Sequence, residues 1–295
     1  VLSAPGFQPE GATEHKRLNR EAMVNVLHAA KVRGVRRIVY CSSWSAYGRQ
    51  PDGTDVHERS ENLAGENVEA ALCGLCGAAN PPVPYFECKR DLETQLEDGA
   101  AGGGDASCQV EVVIIQPCSV FGRYGDTGWC TIFGKLLDSN GRMPGLPGAS
   151  SFCDVQDLAG AFVAAAHAGA GAAERYIIGG TNASNLHMQA EMANLVGVPP
   201  PARATPEGLL RGLAAWNEAL LYVPYLRGLR VKPDTIASPW LIHKITQNQS
   251  ATSAAASQAL GYRPRPLADT LARNHQWLLE TGRLPAHNKG KDSRL

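Results

Sequence analysis

The sequence predicts an α/β chain: a parallel sheet with helices wound on both faces, and a smaller, mostly helical lobe beside it. Three observations carry this. Short runs rich in β-branched residues (Arg36 to Cys41, Gln109 to Gln116, Arg175 to Ile178) alternate with longer helical patterns, as in a sheet built from crossover units. The run from Gln109 to Gln116 is apolar through its middle, the pattern of a buried strand. Pro199 to Pro206 reads as a linker, and beyond it the patterns are helical.

The elements follow in order. Glu14 to Arg33 reads as a long helix with one buried stripe through Leu18, Ala22, Val26, Leu27 and Ala30, ended by Gly34. The strand Arg36 to Cys41 leaves in a polar turn, Ser42 to Gly48. Arg49 to Pro84, studded with Gly and Pro, is a long loop expected to border a substrate. A helix carrying Tyr85 follows, and the Gly-rich run Gly99 to Gly104 is a flexible loop. The strand Gln109 to Gln116 runs into Pro117, Cys118, Ser119 and Val120. Helix Asp157 to Ala168, with Asp157 as its N-cap, and strand Arg175 to Ile178 complete the sheet. Leu209 to Tyr222, Ala251 to Leu260 and Leu267 to Glu280 are the helices of the smaller lobe, and residues 285–295 are a loose tail.

With 28 basic and 28 acidic residues the formal charge is zero, so the chain has no electrostatic footprint for nucleic acid or an anionic membrane. No apolar run is long enough to span a bilayer. Small-molecule partners and a cytoplasmic location are expected. The eight cysteines are irregularly spaced, which suits reduced thiols better than a disulfide framework. Cys73 and Cys76 form a single C-x-x-C, and no histidine pair has metal-binding spacing, so no metal is expected.

The chemistry is concentrated in Tyr85 and Lys89. Four residues apart on one helix, they place a phenol and an ammonium on the same face, one turn apart. A tyrosine with its ordinary pKa of about 10 becomes a useful acid/base when a nearby cation lowers it. The expected arrangement is Tyr85 as acid/base and Lys89 as its tuner, with the Ser42-Ser43 pair at the end of the preceding strand.

The order of parts resembles the extended short-chain dehydrogenase/reductase family. Members typically read N-x-x-G-T-x-N-V-L-x-A-A-x-x-x-G-V-x-R-x-V-Y-x-S-S, and Asn19 to Ser43 reads N-R-E-A-M-V-N-V-L-H-A-A-K-V-R-G-V-R-R-I-V-Y-C-S-S. Phe152 to Ala159 is similar to the family's F-x-x-V-x-D-V-A segment. Leu260 to Pro264, with Trp277, resembles the L-G-Y-x-P and closing helix of the dihydroflavonol-reductase and sugar-epimerase branches.

The resemblance implies a Rossmann-like, doubly wound parallel sheet, truncated at its N-terminus. The family's opening T-G-x-x-G-x-x-G turn, which cradles the dinucleotide pyrophosphate, is not in this sequence, and roughly seventy residues are expected upstream of Val1. Residues 1–122 and 151–180 would form the incomplete dinucleotide-binding domain, and 123–150 and 181–284 the substrate lobe. NAD or NADP is the implied cofactor, approached by Ala4, Ser42, Tyr85, Lys89, Pro117, Cys118, Ser119 and Val120. Tyr85 would exchange a proton with the substrate oxygen, Ser43 would orient that oxygen, Lys89 would also hold the nicotinamide ribose, and Asn19 would stand near the site. Gln116 stands where many relatives carry Arg, which argues against a sugar-diphosphate role, although Arg123 and Arg142 supply charge nearby. Trp44 and Tyr47 are candidates to line the pocket. The implied activity is carbonyl/secondary-alcohol interconversion on a small organic substrate. Nucleotide-sugar epimerisation and a non-catalytic cofactor- or protein-binding role remain alternatives. Homodimerisation through the Tyr/Lys helix and the long helix before it is the family's usual mode.

Overall fold

The computed structural model describes residues 12–48, 50–63, 84–101, 110–168, 173–219, 242 and 245–285. Helix α1 is Ala12–Val32 and leads to strand β1, Arg37–Cys41, then a 3-10 turn, Trp44–Tyr47, and the short strand β2, Asp55–Val56. Helix α2 is Pro84–Ala101, followed by β3, Glu111–Pro117, and β4, Ser119–Phe121. A second 3-10 turn, Gly128–Thr131, leads to α3, Ile132–Asp138, then β5, Ala149–Asp154, and α4, Val155–His167. The chain continues through β6, Ala173–Ile178, β7, Thr181–Ser184, α5, Asn185–Val196, and α6, Glu207–Ala219. It closes with β8, Ser250–Ala251, α7, Ala254–Leu260, and α8, Leu267–Glu280.

Strands β1, β3 and β6 form one parallel sheet with β3 in the centre. Successive side chains of a strand point to opposite faces, and β3 uses both. Val112 and Ile114 pack with Met23 and Leu27 of α1 and Leu92 and Leu96 of α2. Val113 and Ile115 pack with Leu158, Ala161 and Ala165 of α4 and with Ala256 and Tyr262. A strand covered on both faces needs an unbroken apolar run, which Val112 to Ile115 supplies. Each such side chain, fully buried, contributes about 1.5–3 kcal/mol of transfer free energy.

A second sheet has β4 parallel to β5 and β5 antiparallel to β7. On it lies a separate apolar cluster, where Phe121, Phe133, Phe152, Met188, Met192, Leu271 and Trp277 meet. Polar side chains from the C-terminal segments bond the backbone beside the sheets. The buried Asn274 amide donates to the carbonyls of Gly122 (2.7 Å) and Gly125 (3.0 Å), and the Tyr262 hydroxyl donates to that of Gly179 (2.6 Å). Gly148 lets two segments touch: a Cβ there would stand 2.3 Å from the carbonyl oxygen of Ile245.

Several expectations need correction. Of the stripe expected to be buried on α1, Leu18 and Val26 are exposed, and the buried face instead runs through Met23, Leu27 and Ala30. The N-cap of α4 is Asp154, whose carboxylate accepts from the Gln156 N–H at 2.7 Å. Asp157 lies in the first turn and instead accepts from the Arg265 backbone N–H (2.9 Å) and its guanidinium. A helix over Ala251 to Leu260 starts late because Ser250 and Ala251 pair with Asp55 and Val56 as a parallel bridge. Gly99, expected in a loop, is helical in α2. The C-x-x-C at Cys73 and Cys76 and the tail beyond residue 285 lie outside the described residues.

Candidate active site

The site forms where β1 ends against the start of α2. Ser43 leaves β1 with extended backbone and caps the 3-10 turn, its hydroxyl oxygen accepting from the Ser45 N–H at 3.2 Å. Gly48 closes the turn at φ 69, a conformation that glycine adopts without strain. Tyr85 is the second residue of α2, after Pro84, whose fixed φ and missing N–H suit a first helical turn. Its phenol is hydrogen-bonded to the Ser43 side chain.

Lys89, one turn on, donates to the carbonyl oxygen of Cys41 at 3.0 Å. Its ammonium lies 5.3 Å from the centroid of the Tyr40 ring and 5.7 Å from that of Tyr85, within cation–π range. Burial pushes the Tyr85 phenol above its ordinary pKa, and the Ser43 hydrogen bond works against it. Burial pushes Lys89 down. The expected lowering of the phenol by Lys89 is therefore not seen in this arrangement: desolvation is the largest influence on Tyr85, and Lys89 is not among the causes of its shift.

A small cleft opens next to this turn and helix start; Ser43, Tyr85 and Lys89 are not themselves among its lining residues. Trp44, Ser45 and Phe86, chain neighbours of Ser43 and Tyr85, line it together with Ser119, Trp129, Ser150, Asn185, Gln247 and Gln249. Indoles, hydroxyls and amides make up this wall, and among the described lining residues none is charged. Asn185 turns its amide N–H groups to the carbonyls of Pro147 (2.7 Å) and Ile245 (3.0 Å).

The other candidates divide. Ser119 is in the cleft wall, its hydroxyl 2.8 Å from that of Ser150. The Cys118 N–H is used by the Ile178 carbonyl (3.0 Å), and its buried thiol is pushed well up. Pro117 ends β3, and Val120 packs against the α4 side of the sheet. Asn19, 9% exposed, lies on α1 four residues before Met23, so it shares that helix's buried stripe and is not in the cleft wall. Trp44 lines the cleft but Tyr47 does not. Tyr47 is buried, and its hydroxyl donates to the Gln116 side-chain oxygen at 3.0 Å. Gln116 is itself fully buried, so its difference from relatives faces the interior rather than a ligand. Arg123 reaches Glu280 at 3.5 Å, and neither it nor Arg142 lines the cleft. Ala4 lies outside the described residues.

Sequence reasoning missed Glu93, 3% exposed, one turn beyond Lys89. The i, i+4, i+8 spacing of Tyr85, Lys89 and Glu93 was a legible signal. Among the described residues no group of His, Cys, Asp and Glu could hold a metal ion, and no helix is long and apolar enough to cross a membrane. Cys41, Cys88, Cys118, Cys130 and Cys153 are free thiols.

The family model for the NAD dependent epimerase/dehydratase family matches residues 3–179. The chain belongs to this family. A Synechocystis sp. protein provisionally named dihydroflavonol 4-reductase is 26% identical over 262 residues, which cover 88% of this chain and 68% of the relative. The sterol demethylase protein B of Methylococcus capsulatus is 26% identical over 197 residues, and the match spans only 53% of that relative's length. Among solved structures, a nucleoside-diphosphate-sugar epimerase from Pseudomonas aeruginosa superposes with a TM-score of 0.64 at 22% identity, covering 88% of this chain and 71% of that one. A UDP-glucuronic acid 4-epimerase from Bacillus cereus, solved with NAD, gives 0.62 at 17% identity, covering 94% and 72%. These similarities establish the Rossmann-like sheet with flanking helices as the family's fold.

Proposed function

We propose that the chain is the body of an NAD(P)-dependent oxidoreductase that interconverts a carbonyl and a secondary alcohol on a small, uncharged organic substrate. The observation that carries this is the hydrogen bond between Ser43 and Tyr85, whose chain neighbours Trp44, Ser45 and Phe86 line a cleft with no charge on its described wall. The similarity to a protein provisionally named dihydroflavonol 4-reductase supports the same reading. A nucleotide-sugar epimerase, the name borne by several structural neighbours, is the second reading.

The residues at the nicotinamide end fit the cofactor. An ammonium has three donors, and Lys89 directs one to Cys41 among the described residues, leaving others for ribose hydroxyls. The pyrophosphate-binding turn is not in this sequence. When bound, the nicotinamide supplies or accepts the hydride. Tyr85 then gives its phenolic proton to the substrate oxygen in reduction, or takes the alcohol proton in the reverse direction. Ser43 both donates and accepts, so it can hold that oxygen while bonded to Tyr85. Lys89 anchors the end of β1 through the Cys41 carbonyl and stabilises negative charge that develops on the phenol. Trp44, Trp129 and Phe86 offer apolar surface to the rest of the substrate. The exposed face of α1, with Leu18, Val24, Val26 and Val32, supports a homodimer. Residues 123–150 and 181–284 are assigned to substrate binding.

The test is a fluorescence titration of NADH and NADPH into this chain and into one carrying the preceding coding sequence, followed by assay of uncharged carbonyl compounds against UDP-sugars. Tyr85→Phe should lower turnover about 10²–10⁴-fold while leaving cofactor affinity intact. Full turnover in this variant would overturn the assignment, and turnover confined to UDP-sugars would favour the second reading.

A further inference from the structure

Glu93 continues the face of α2 that carries Tyr85 and Lys89, but it points into the protein, where a carboxylate needs compensation. Among the described residues its ion pair is a long one: a guanidinium nitrogen of Arg175 is 3.9 Å away, and that side chain is bonded more closely to Glu97. A neutral amide holds Glu93 instead. Gln116 donates to both of its oxygens, at 2.9 and 3.0 Å, and is fixed in turn by the Tyr47 hydroxyl at 3.0 Å.

Two more hydroxyls, those of Tyr40 and Ser42, are buried at the end of β1. The Ser42 hydroxyl, as a hydrogen-bond partner, lowers the pKa of Glu93, and the Glu93 charge raises that of Tyr40. Ser42 stands one step past the last paired residues, Cys41 and Ile115, and its N–H continues the ladder to the Ile115 carbonyl at 2.7 Å. The next residue is Ser43.

We propose that Glu93 is a positioning residue: its carboxylate gathers Gln116 and the Ser42 hydroxyl, holds the end of β1 in register, and so keeps the Ser43 hydroxyl on Tyr85. This rests on the reading of Ser43, Tyr85 and Lys89 as the reacting set. A core selected only for stability is served as well by an apolar side chain at this depth. Here a polar hub stands directly behind the strand end that delivers Ser43. Arg175 from β6, Glu97 and Lys89 from α2, Tyr40 from β1 and Tyr47 from the 3-10 turn are the charged and titratable groups around it. Burial pushes Glu93 up, so replacing it by a neutral isostere removes a desolvated charge rather than a stabilising one.

The test compares the full chain with Glu93→Gln by amide hydrogen exchange. Opening of the strand end should speed exchange at Ser42, Ala46 and Gly48 about tenfold, while the amides of Val112 to Ile115 are unchanged. Equal acceleration across the sheet, or none at the strand end, would overturn the proposal. Kinetics provide the second arm. Glu93→Gln should lower kcat in the otherwise unaltered chain but add nothing to Ser43→Ala, because it acts through that hydroxyl. The same factor in both backgrounds would overturn it. Should Tyr85→Phe keep full turnover, the catalytic reading itself falls, and the exchange experiment still decides what Glu93 holds.

Discussion

The two faces of β3 are equally dry and differently made. On the α4 side Val113 and Ile115 meet apolar side chains. On the α2 side Val112 and Ile114 do the same, but the next residue on that face, Gln116, meets a carboxylate and a phenol. The apolar face can tolerate sliding by fractions of an ångström, since dispersion and hydrophobic burial have no preferred direction. Hydrogen bonds fail within a few tenths of an ångström or a few tens of degrees. On the proposed reading the polar end contributes orientation where the apolar face contributes stability, close to the strand end that leads to Ser43.

Breaking the apolar face should have the largest effect on stability. Ile115→Ala, at a fully buried position, is expected to cost about 2–5 kcal/mol in denaturant unfolding, with kcat of the folded fraction nearly unchanged. Equal loss of kcat would mean that the two faces do not divide the work. Gln116→Leu keeps the volume but leaves Glu93 and the Tyr47 hydroxyl without that partner, for about 1–3 kcal/mol. Here kcat should fall as well. If stability falls and kcat holds, the polar end is scaffold only.

The smallest effect is a pH dependence. Burial raises the pKa of Glu93 in the folded chain, so the folded state binds its proton more tightly than the unfolded state does. The resulting stability is fully present below the unfolded carboxylate range and is lost as pH rises through the raised value. Relative to Glu93→Gln, the unaltered chain should thus gain in denaturation midpoint as pH falls from neutral toward about 4.5. A gain with rising pH would place an unrecognised cation against the carboxylate.

Much of this was readable in one dimension, for physical reasons that differ by element. The unbroken Val112 to Ile115 run could only be a strand covered twice. Helix α8 was found with its bounds, because its apolar positions repeat at helical spacing and Pro266 precedes it. Helix α5 was missed. It buries Asn185 and Gln189 beside Met188 and Met192, so its inner face does not look apolar. Those polar chains are inside because they replace missing backbone partners: Gln189 accepts from the Leu146 N–H at 2.7 Å and donates to the Pro144 carbonyl at 3.0 Å. The cap of α4 was misplaced by three residues, since Asp154 and Asp157 are equally good cap residues by type. Only the approach of Arg265 from the far end of the chain separates them.

The sequence by itself determined the alternation of strands and helices, the double covering of the sheet, and the placement of Tyr85 and Lys89 on one helical face behind a serine-bearing strand end. Those features follow from periods of 2 and 3.6 residues and from spacing within single elements. The tertiary structure alone decided that Gln116 faces inward, that Tyr47 supports the site rather than lining it, and that Glu93 is buried against both. A carboxylate on a helix is ordinarily solvated. What buries this one is the packing of α2 over the ends of β1 and β3, two strands whose pairing joins residues more than seventy positions apart.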